Sequence, residues 1–498
     1  TLDGPVAVIA GAGTGKTRAI THRIAYGVRT GAYNPVTVLA VTFTTRAAGE
    51  MRGRLQQLGV RGVQARTFHS AALRQAHYFW PRVHGADLPA VLDNRMSLVA
   101  EAAGRLRVPA DTATLRDLVG EISWAKVSNV TAADYPAIAA RAGRELASTT
   151  PDVVARVFTA YEEAKRSRGR IDFEDILLCT TALLSDHPDV ADEVRRTYRH
   201  FVVDEYQDVS PLQQALLDLW RGEHRDLCVV GDPAQTIHSF AGARADYLTG
   251  FARRDPTTTV IRLVRDYRST PQVVEVANAI MRRAGREGSG PGEAITTVTL
   301  QAQRPAGPAP AFIEAADEAA EAAGVADWLA ARHAQGVAYR EMAVLFRINA
   351  QSPAFEQALA DRGIPYLVRG AERFYDRREV RQALGVLRAA VRTGAQEDGS
   401  VAEQVRMLLE TTGWTREAPA GGGQRRERWE SLAALASVAD DVAAADPAAT
   451  LTGVVAELER RAAAQHAPVA QGVTVATIHS AKGLEWDAVA VVGVQEGT

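Results

Sequence analysis

Residues 10–17 read Ala10-Gly11-Ala12-Gly13-Thr14-Gly15-Lys16-Thr17, directly after the apolar run Pro5–Ala10 and directly before the helix-forming stretch Thr17–Arg29. Strand, glycine-rich turn and helix in that register form an anion cradle. Successive backbone N–H groups and the helix N-terminus face a phosphate, a lysine ammonium reaches the outer phosphates, and a threonine hydroxyl ligates magnesium. Gly11, Gly13 and Gly15 let the backbone close on the ligand, with Lys16 and Thr17 as its charged and metal-facing groups and Arg18 beside them. Such loops usually place their first glycine where this chain has Ala10. A glycine-rich turn with an incidental lysine explains the segment less well, because it does not account for the strand and the helix on either side.

A phosphate cradle of this kind needs a second strand ending in acids, and Phe201-Val202-Val203-Asp204-Glu205 supplies one. Asp204 would hold the magnesium while Glu205 orients and deprotonates the attacking water, the division of labour that phosphoryl transfer to water requires. Further β-branched runs recur at Val36–Phe43, Leu227–Val230, Val260–Leu263, Met342–Phe346, Val473–Ile478 and Ala488–Val494. Helical stretches such as Arg46–Leu58, Pro211–Trp220 and Gln272–Arg283 lie between them. That alternation predicts an α/β fold with parallel sheets. It is interrupted at about 71–169 and 375–471, where strand signals all but vanish, so both segments read as helical insertions. The tracts Gly285–Gly292, Arg304–Ala311 and Ala418–Gly423 read as loops or hinges.

A chain of 498 residues has room for about three to four domains. Its 57 basic and 59 acidic side chains leave a net charge of −2, which excludes a uniformly basic nucleic-acid binder. Contact with nucleic acid must then be local. Four of the basic residues are lysines (Lys16, Lys126, Lys165 and Lys482), so each has to be accounted for against an arginine background. Cys179 and Cys228 have neither metal-site nor disulfide spacing. No apolar stretch is long enough to span a membrane and the first residues do not resemble a signal peptide, so a soluble cytoplasmic protein is expected. The opening Thr1 and the close on Thr498, just after a strand-like run, suggest a natural protein longer than this chain.

Asp204-Glu205-Tyr206-Gln207-Asp208 resembles the DExQD box of superfamily 1 DNA helicases of the UvrD/Rep/PcrA type, and blocks similar to that family's other motifs occur in the family's order. Val41–Ala48 resembles motif Ia, Thr67-Phe68-His69-Ser70 motif Ib, Val230–Ile237 motif III and Asp266-Tyr267-Arg268-Ser269-Thr270 motif IV. Leu345–Ser352 is similar to the following block and Thr477–Trp486 to motif V. The resemblance implies two RecA-like P-loop domains with parallel sheets, each carrying a mainly helical insertion. Residues 1–70 and 170–264 would form the first, 71–169 its insertion, 265–374 and 472–498 the second, and 375–471 its insertion. It also implies ATP and Mg2+ as cofactors and single-stranded DNA and duplex junctions as partners. Repair proteins, 3′ to 5′ movement and no membrane association belong to the same expectation.

Carried over residue by residue, the resemblance gives Gln235 the γ-phosphate, Tyr267 the adenine, Arg268 the γ-phosphate from the second domain and Glu485 the ribose, with Gly483 also at the nucleotide. Phe43, Thr67, His69, His238, Phe240, Asn349 and His479 would contact DNA. Rings that stack on bases without reading them suit a motor indifferent to sequence, at about 1–3 kcal/mol per base. Where relatives usually carry Tyr, Trp and Arg after the motif III glutamine, this chain has His238, Phe240 and Ala241, which implies weaker stacking. Two other roles fit the same motor: a subunit of a helicase–nuclease complex, or a DNA-stimulated ATPase that strips proteins from DNA without unwinding. The family's motif upstream of the phosphate loop and its motif VI are expected outside residues 1–498.

Overall fold

The computed structural model describes residues 1–108, 111–144, 146, 149–287, 298–348, 351–369, 375, 377–393, 400–417, 424–446, 448–463 and 471–495. These fall into two units, Thr1–Pro310 and Ala311–Thr498. In the first, β1 (Val6–Ala10), β2 (Val38–Thr42) and β3 (Gln64–Thr67) precede a small pair formed by β4 (Ala90–Val91) and β5 (Arg170–Ile171). The strands β6 (His200–Val203), β7 (Leu227–Gly231) and β8 (Thr259–Leu263) complete a six-stranded, all-parallel sheet in the order β3-β2-β6-β7-β1-β8. The pair β9 (Arg265–Asp266) and β10 (Gln301–Ala302) follows.

Side chains alternate across a strand, and here the alternation sorts two cores. Ala7, Ile9, Leu39, Val41, Phe201 and Val203 point to the face covered by helices Phe68–His84, Phe173–Asp186 and Pro211–Arg221. Val6, Val8, Val38, Ala40, Val202 and Val230 point to the other, against Ile20, Ile24, Met51 and Leu55 of helices Lys16–Arg29 and Thr45–Gln57. Burial on both faces is why these strands read as continuous apolar runs; each fully covered aliphatic side chain contributes ~1.5–3 kcal/mol. The edge strand β3, Gln-Ala-Arg-Thr, was not legible in the sequence because only Ala65 among its residues is buried.

The first insertion is helical as expected. Helices Arg95–Arg105, Thr112–Val127, Tyr135–Arg141 and Pro151–Ser167 close on a core of their own that includes Val99, Ile122, Val157 and Tyr161. In the second unit β11 (Met342–Phe346), β12 (Tyr366–Arg369), β13 (Val473–Thr477) and β14 (Ala488–Val491) form a parallel sheet in the order β12-β13-β11-β14. Helices Arg378–Thr393, Val401–Glu410, Gln424–Ala445 and Leu451–Ala463 pack around Leu387, Leu409, Leu435 and Leu458.

The packing boundary between the units is a different feature from the expected domain boundary. It falls at Pro310/Ala311, within the tract Arg304–Ala311 read as a hinge, rather than after residue 264. The cause is local pairing. The Asn278 side chain of helix Pro271–Glu287 donates to the Leu300 carbonyl and accepts from the Leu300 N–H, both at 3.0 Å, and the Tyr267 N–H donates to the Gly13 carbonyl at 3.0 Å. The segment from Arg265 onward is thereby stitched to the first unit. Gly285 to Glu287 continue that helix, whereas 418–423, read as a loop, lie outside the described residues.

Candidate nucleotide and nucleic-acid site

Parallel strands place all their C-terminal ends on one edge, where α/β sheets bind ligands. The first-unit residues singled out in the sequence follow those ends: the phosphate loop after β1, Phe43 after β2, His69 after β3, Asp204 after β6, Gln235 after β7, and Tyr267 and Arg268 after β8. Gly13 (φ +69°) and Gly15 (φ +81°) adopt the left-handed conformation that only glycine takes freely. Gly15 is the N-cap of helix Lys16–Arg29 and has no side chain to cap it, so the first-turn N–H groups are left for a ligand. The Thr14 hydroxyl ties the loop to the Gly11 carbonyl at 2.8 Å. Arg18 is exposed in the first turn.

Gly13 is also required by contact. A Cβ there would overlap the carboxylate of buried Asp266, whose Oδ1 accepts the Arg268 N–H at 2.6 Å and the Ser269 N–H at 3.0 Å. Asp266 therefore shapes the turn that holds Tyr267 and Arg268 beside the phosphate loop. Both of their side chains are exposed. By packing, Arg268 lies in the unit Thr1–Pro310 with the phosphate loop.

The two halves of the phosphate site meet where the Thr17 hydroxyl donates to Asp204 Oδ2 at 3.2 Å. Burial and the adjacent Glu205 push the Asp204 carboxyl up to about 6, while the Glu205 N–H, Lys16 and the Thr17 hydroxyl pull it back. A buried carboxylate paired with a hydroxyl is a hard-oxygen donor set of the kind magnesium takes. Glu205 sits at φ +54°, a strained position for a non-glycine residue that costs on the order of 1–2 kcal/mol. Gln207, fully buried, joins the acids to the next strand: its Nε2 donates to Glu205 Oε2 at 2.5 Å and its Oε1 accepts the Asp232 N–H at 3.0 Å. Asp232 Oδ2 in turn accepts from Gln235 Nε2 at 2.7 Å. The sequence reading gave Gln207 no part of its own.

The structure brings the expected DNA-contacting rings together in two groups. Phe43 stacks on His238, with centroids 5.1 Å apart, and His238 lies 6.2 Å from Phe240. His69 stacks on Phe173 at 3.9 Å. Phe43, Phe173 and Phe240 are all exposed, against the rule for large apolar side chains. Burial pushes His69 down to about 4, so its ring is neutral at physiological pH, and its Nε2 has no hydrogen-bond partner among the described residues. Phe173 was missed in the sequence. The sequence carried no clear signal for it: the acids beside it in Asp172-Phe173-Glu174-Asp175 are buried, and Phe173 is the one of the four that is exposed.

Thr67 caps helix Phe68–His84, its hydroxyl committed to the Ser70 N–H at 3.1 Å. Asn349 lies outside the described residues. In the second unit, His479, Gly483 and Glu485 follow the C-terminal end of β13, with Gly483 at φ +78° and the Glu485 side chain exposed. Arg347, after β11, places Nη1 3.5 Å from His479 Nδ1.

A phosphate loop after the first strand, an Asp-Glu pair two strands away and a glutamine after the strand between define a P-loop protein with RecA-like sheets. Comparison with known proteins narrows this: the UvrD/REP helicase N-terminal domain matches residues 1–256 and the UvrD-like helicase C-terminal domain matches 261–397 and 396–498. The chain belongs to the UvrD/REP helicase family. It is 48% identical to "ATP-dependent DNA helicase UvrD2" of Mycobacterium bovis and of Mycobacterium tuberculosis, across 99% of this chain and 71% of each relative. It is 32% identical to "ATP-dependent DNA helicase PcrA" of Staphylococcus aureus, across 78% of this chain and 52% of that protein. The family's own seam, between 256 and 261, lies close to the sequence expectation, whereas the packing boundary is at 310/311.

Proposed function

We propose that this chain is an ATP-dependent DNA translocase and helicase that moves 3′ to 5′ along single-stranded DNA and opens duplex junctions during DNA repair. One observation carries the reading. The acid that would activate water and the rings that would stack on bases stand on one sheet edge, joined by Glu205–Gln207–Asp232–Gln235 and then the short backbone run to His238.

Lys16 and the first-turn N–H groups bind the triphosphate, Tyr267 stacks on the adenine and Arg268 offsets γ-phosphate charge. Gly483 and Glu485 contribute to nucleotide binding, and His479 and Asn349 to the strand. Thr17 and Asp204 would hold Mg2+, which when bound neutralises charge on the phosphates. The Glu205 carboxylate accepts the proton of the attacking water. Loss of the γ-phosphate alters what Gln235 meets, and that change is passed along three residues to His238. Each step must outweigh about 1.4 kcal/mol of stacking per base pair opened.

Strand displacement on duplexes with a 3′ or a 5′ single-stranded tail tests the reading. Displacement of the 3′-tailed duplex alone is expected. Displacement of the 5′-tailed duplex alone would reverse the assigned direction, and DNA-stimulated ATP hydrolysis with neither displaced would leave a translocase that clears proteins from DNA.

A further inference from the structure

Two of the four lysines are spent where neither ATP nor DNA can reach them. Lys126 and Lys165 are 4% and 2% exposed. Lys126 Nζ donates to Asp172 Oδ2 and Asp175 Oδ1, both at 2.6 Å, and to Glu162 Oε1 at 3.0 Å. Lys165 Nζ donates to Glu162 Oε1 at 2.7 Å and lies 2.5 Å from Asp175 Oδ2. An ammonium has three donors in a compact tripod, whereas a guanidinium is a planar fork, so three converging carboxylates select lysine in a chain that otherwise uses arginine. The three carboxylates could also be read as a metal site. The two ammonium groups already supply the positive charge such an ion would bring. Burial alone would raise the Asp172 carboxyl, but Lys126, Lys165 and Arg95 outweigh it and hold it well below the usual range.

The cluster stands between the two groups of rings. On one side, Asp172 and Asp175 form a reciprocal cap at the start of helix Phe173–Asp186, and between them lie Glu174 and Phe173, the latter stacked on His69. On the other, Lys126 lies in the last turn of helix Thr112–Val127, and the adjoining Val127 and Ser128 pack under Gly242, where an added Cβ would lie 2.7 Å from Val127 Cγ2 and 3.4 Å from Ser128 Oγ. Gly242, at φ +94°, closes the turn that carries Phe240.

We infer that the Lys126–Lys165–Glu162–Asp172–Asp175 cluster is a positioning device that fixes the spacing between the Phe173/His69 and His238/Phe240 ring groups, so that one strand can engage both. The inference rests on the reading that these rings bind DNA. An apolar core at this place would serve stability as well or better, since buried ion pairs often contribute little net. What the ionic cluster adds is a single geometry, because every carboxylate oxygen of Asp172 and Asp175 has a donor and Glu162 Oε1 receives both ammonium groups.

The test uses the full chain with the charge-balanced Lys126→Met/Asp175→Asn variant and the milder Glu162→Gln, whose side chain is 23% exposed and is the member of the cluster best able to tolerate change. Readouts are ATP turnover without DNA and dissociation constants for oligo-dT, each in the presence and absence of Phe173→Ala. The charge-balanced variant should keep turnover without DNA within about twofold and lose the affinity of roughly one stacked base, about 5- to 150-fold. Phe173→Ala should weaken binding in the parent but add nothing in the charge-balanced variant, since a strand that no longer reaches both ring groups gains nothing from the second. A folded charge-balanced variant with parent affinity, or one in which Phe173→Ala costs as much as in the parent, overturns the inference. Should that variant fail to fold, Glu162→Gln decides by the same two measurements, with a smaller loss expected. If Phe173→Ala is silent in the parent itself, the DNA-binding reading of the ring fails, a result distinct from failure of the positioning role.

Discussion

Phe240→Ala separates packing from base stacking. Phe240 is 61% exposed, so roughly two-fifths of a side chain of about 200 Å² is covered, about 80 Å². At ~25 cal/mol per Å² its truncation costs about 2 kcal/mol of stability as an upper bound. Phe68, 3% exposed and stacked on Trp220 at 5.9 Å, is the contrasting case: Phe68→Ala should cost ~3–5 kcal/mol through the cavity it leaves. On DNA the order reverses. Losing the Phe240 ring should weaken oligo-dT binding by the ~1–3 kcal/mol of one stacked base, while ATP turnover without DNA stays near the parent rate. Urea unfolding, fluorescence anisotropy with labelled oligo-dT, and phosphate release with and without DNA provide the three measurements. A stability loss as large as that of Phe68→Ala, or unchanged affinity for oligo-dT, would falsify the assignment of Phe240 to the strand.

Lys16→Ala should abolish ATP hydrolysis and leave oligo-dT affinity within about twofold, whereas Glu205→Gln should still bind ATP but turn it over at least ~100-fold more slowly, having lost the general base. Rapid turnover by Glu205→Gln in a phosphate-release assay would remove that assignment. Gly13→Ala forces a left-handed alanine, at ~1–2 kcal/mol, into the Asp266 carboxylate, and should weaken ATP binding more than tenfold by displacing Tyr267 and Arg268; parent-like affinity in a nucleotide titration would show that the turn can yield. Asp204 is raised to about 6 in the fold, against about 4 when unfolded, so its ionised form opposes folding above pH 6, and the penalty fades as pH falls toward 4. Asp204→Asn should therefore be more stable than the nucleotide-free parent at pH 8, by ~2–3 kcal/mol, with the two converging near pH 4; parallel stability curves across that range would contradict the burial argument.

Periodicity and ordered short motifs determined the fold class from the sequence alone. Strands buried on both faces, such as Val6–Ala10 and Leu227–Gly231, must be apolar throughout, and a phosphate loop must have glycine where the backbone turns left-handed. Both demands act on consecutive residues, so they are written in consecutive letters. The same holds for the acid pair Asp204-Glu205 and for the helical insertions. What tertiary structure alone decided involves partners far apart in the chain. That Arg268 packs with the phosphate loop follows from Asp266 meeting Gly13, some 250 residues away. That Phe173 is an exposed platform rather than core follows from His69 lying beneath it. Lys126 and Lys165 stood out in the sequence only by their rarity. Three acids from two separate helices and a helix cap had to converge on them before burial could favour a charged pair of ammonium groups over any apolar side chain.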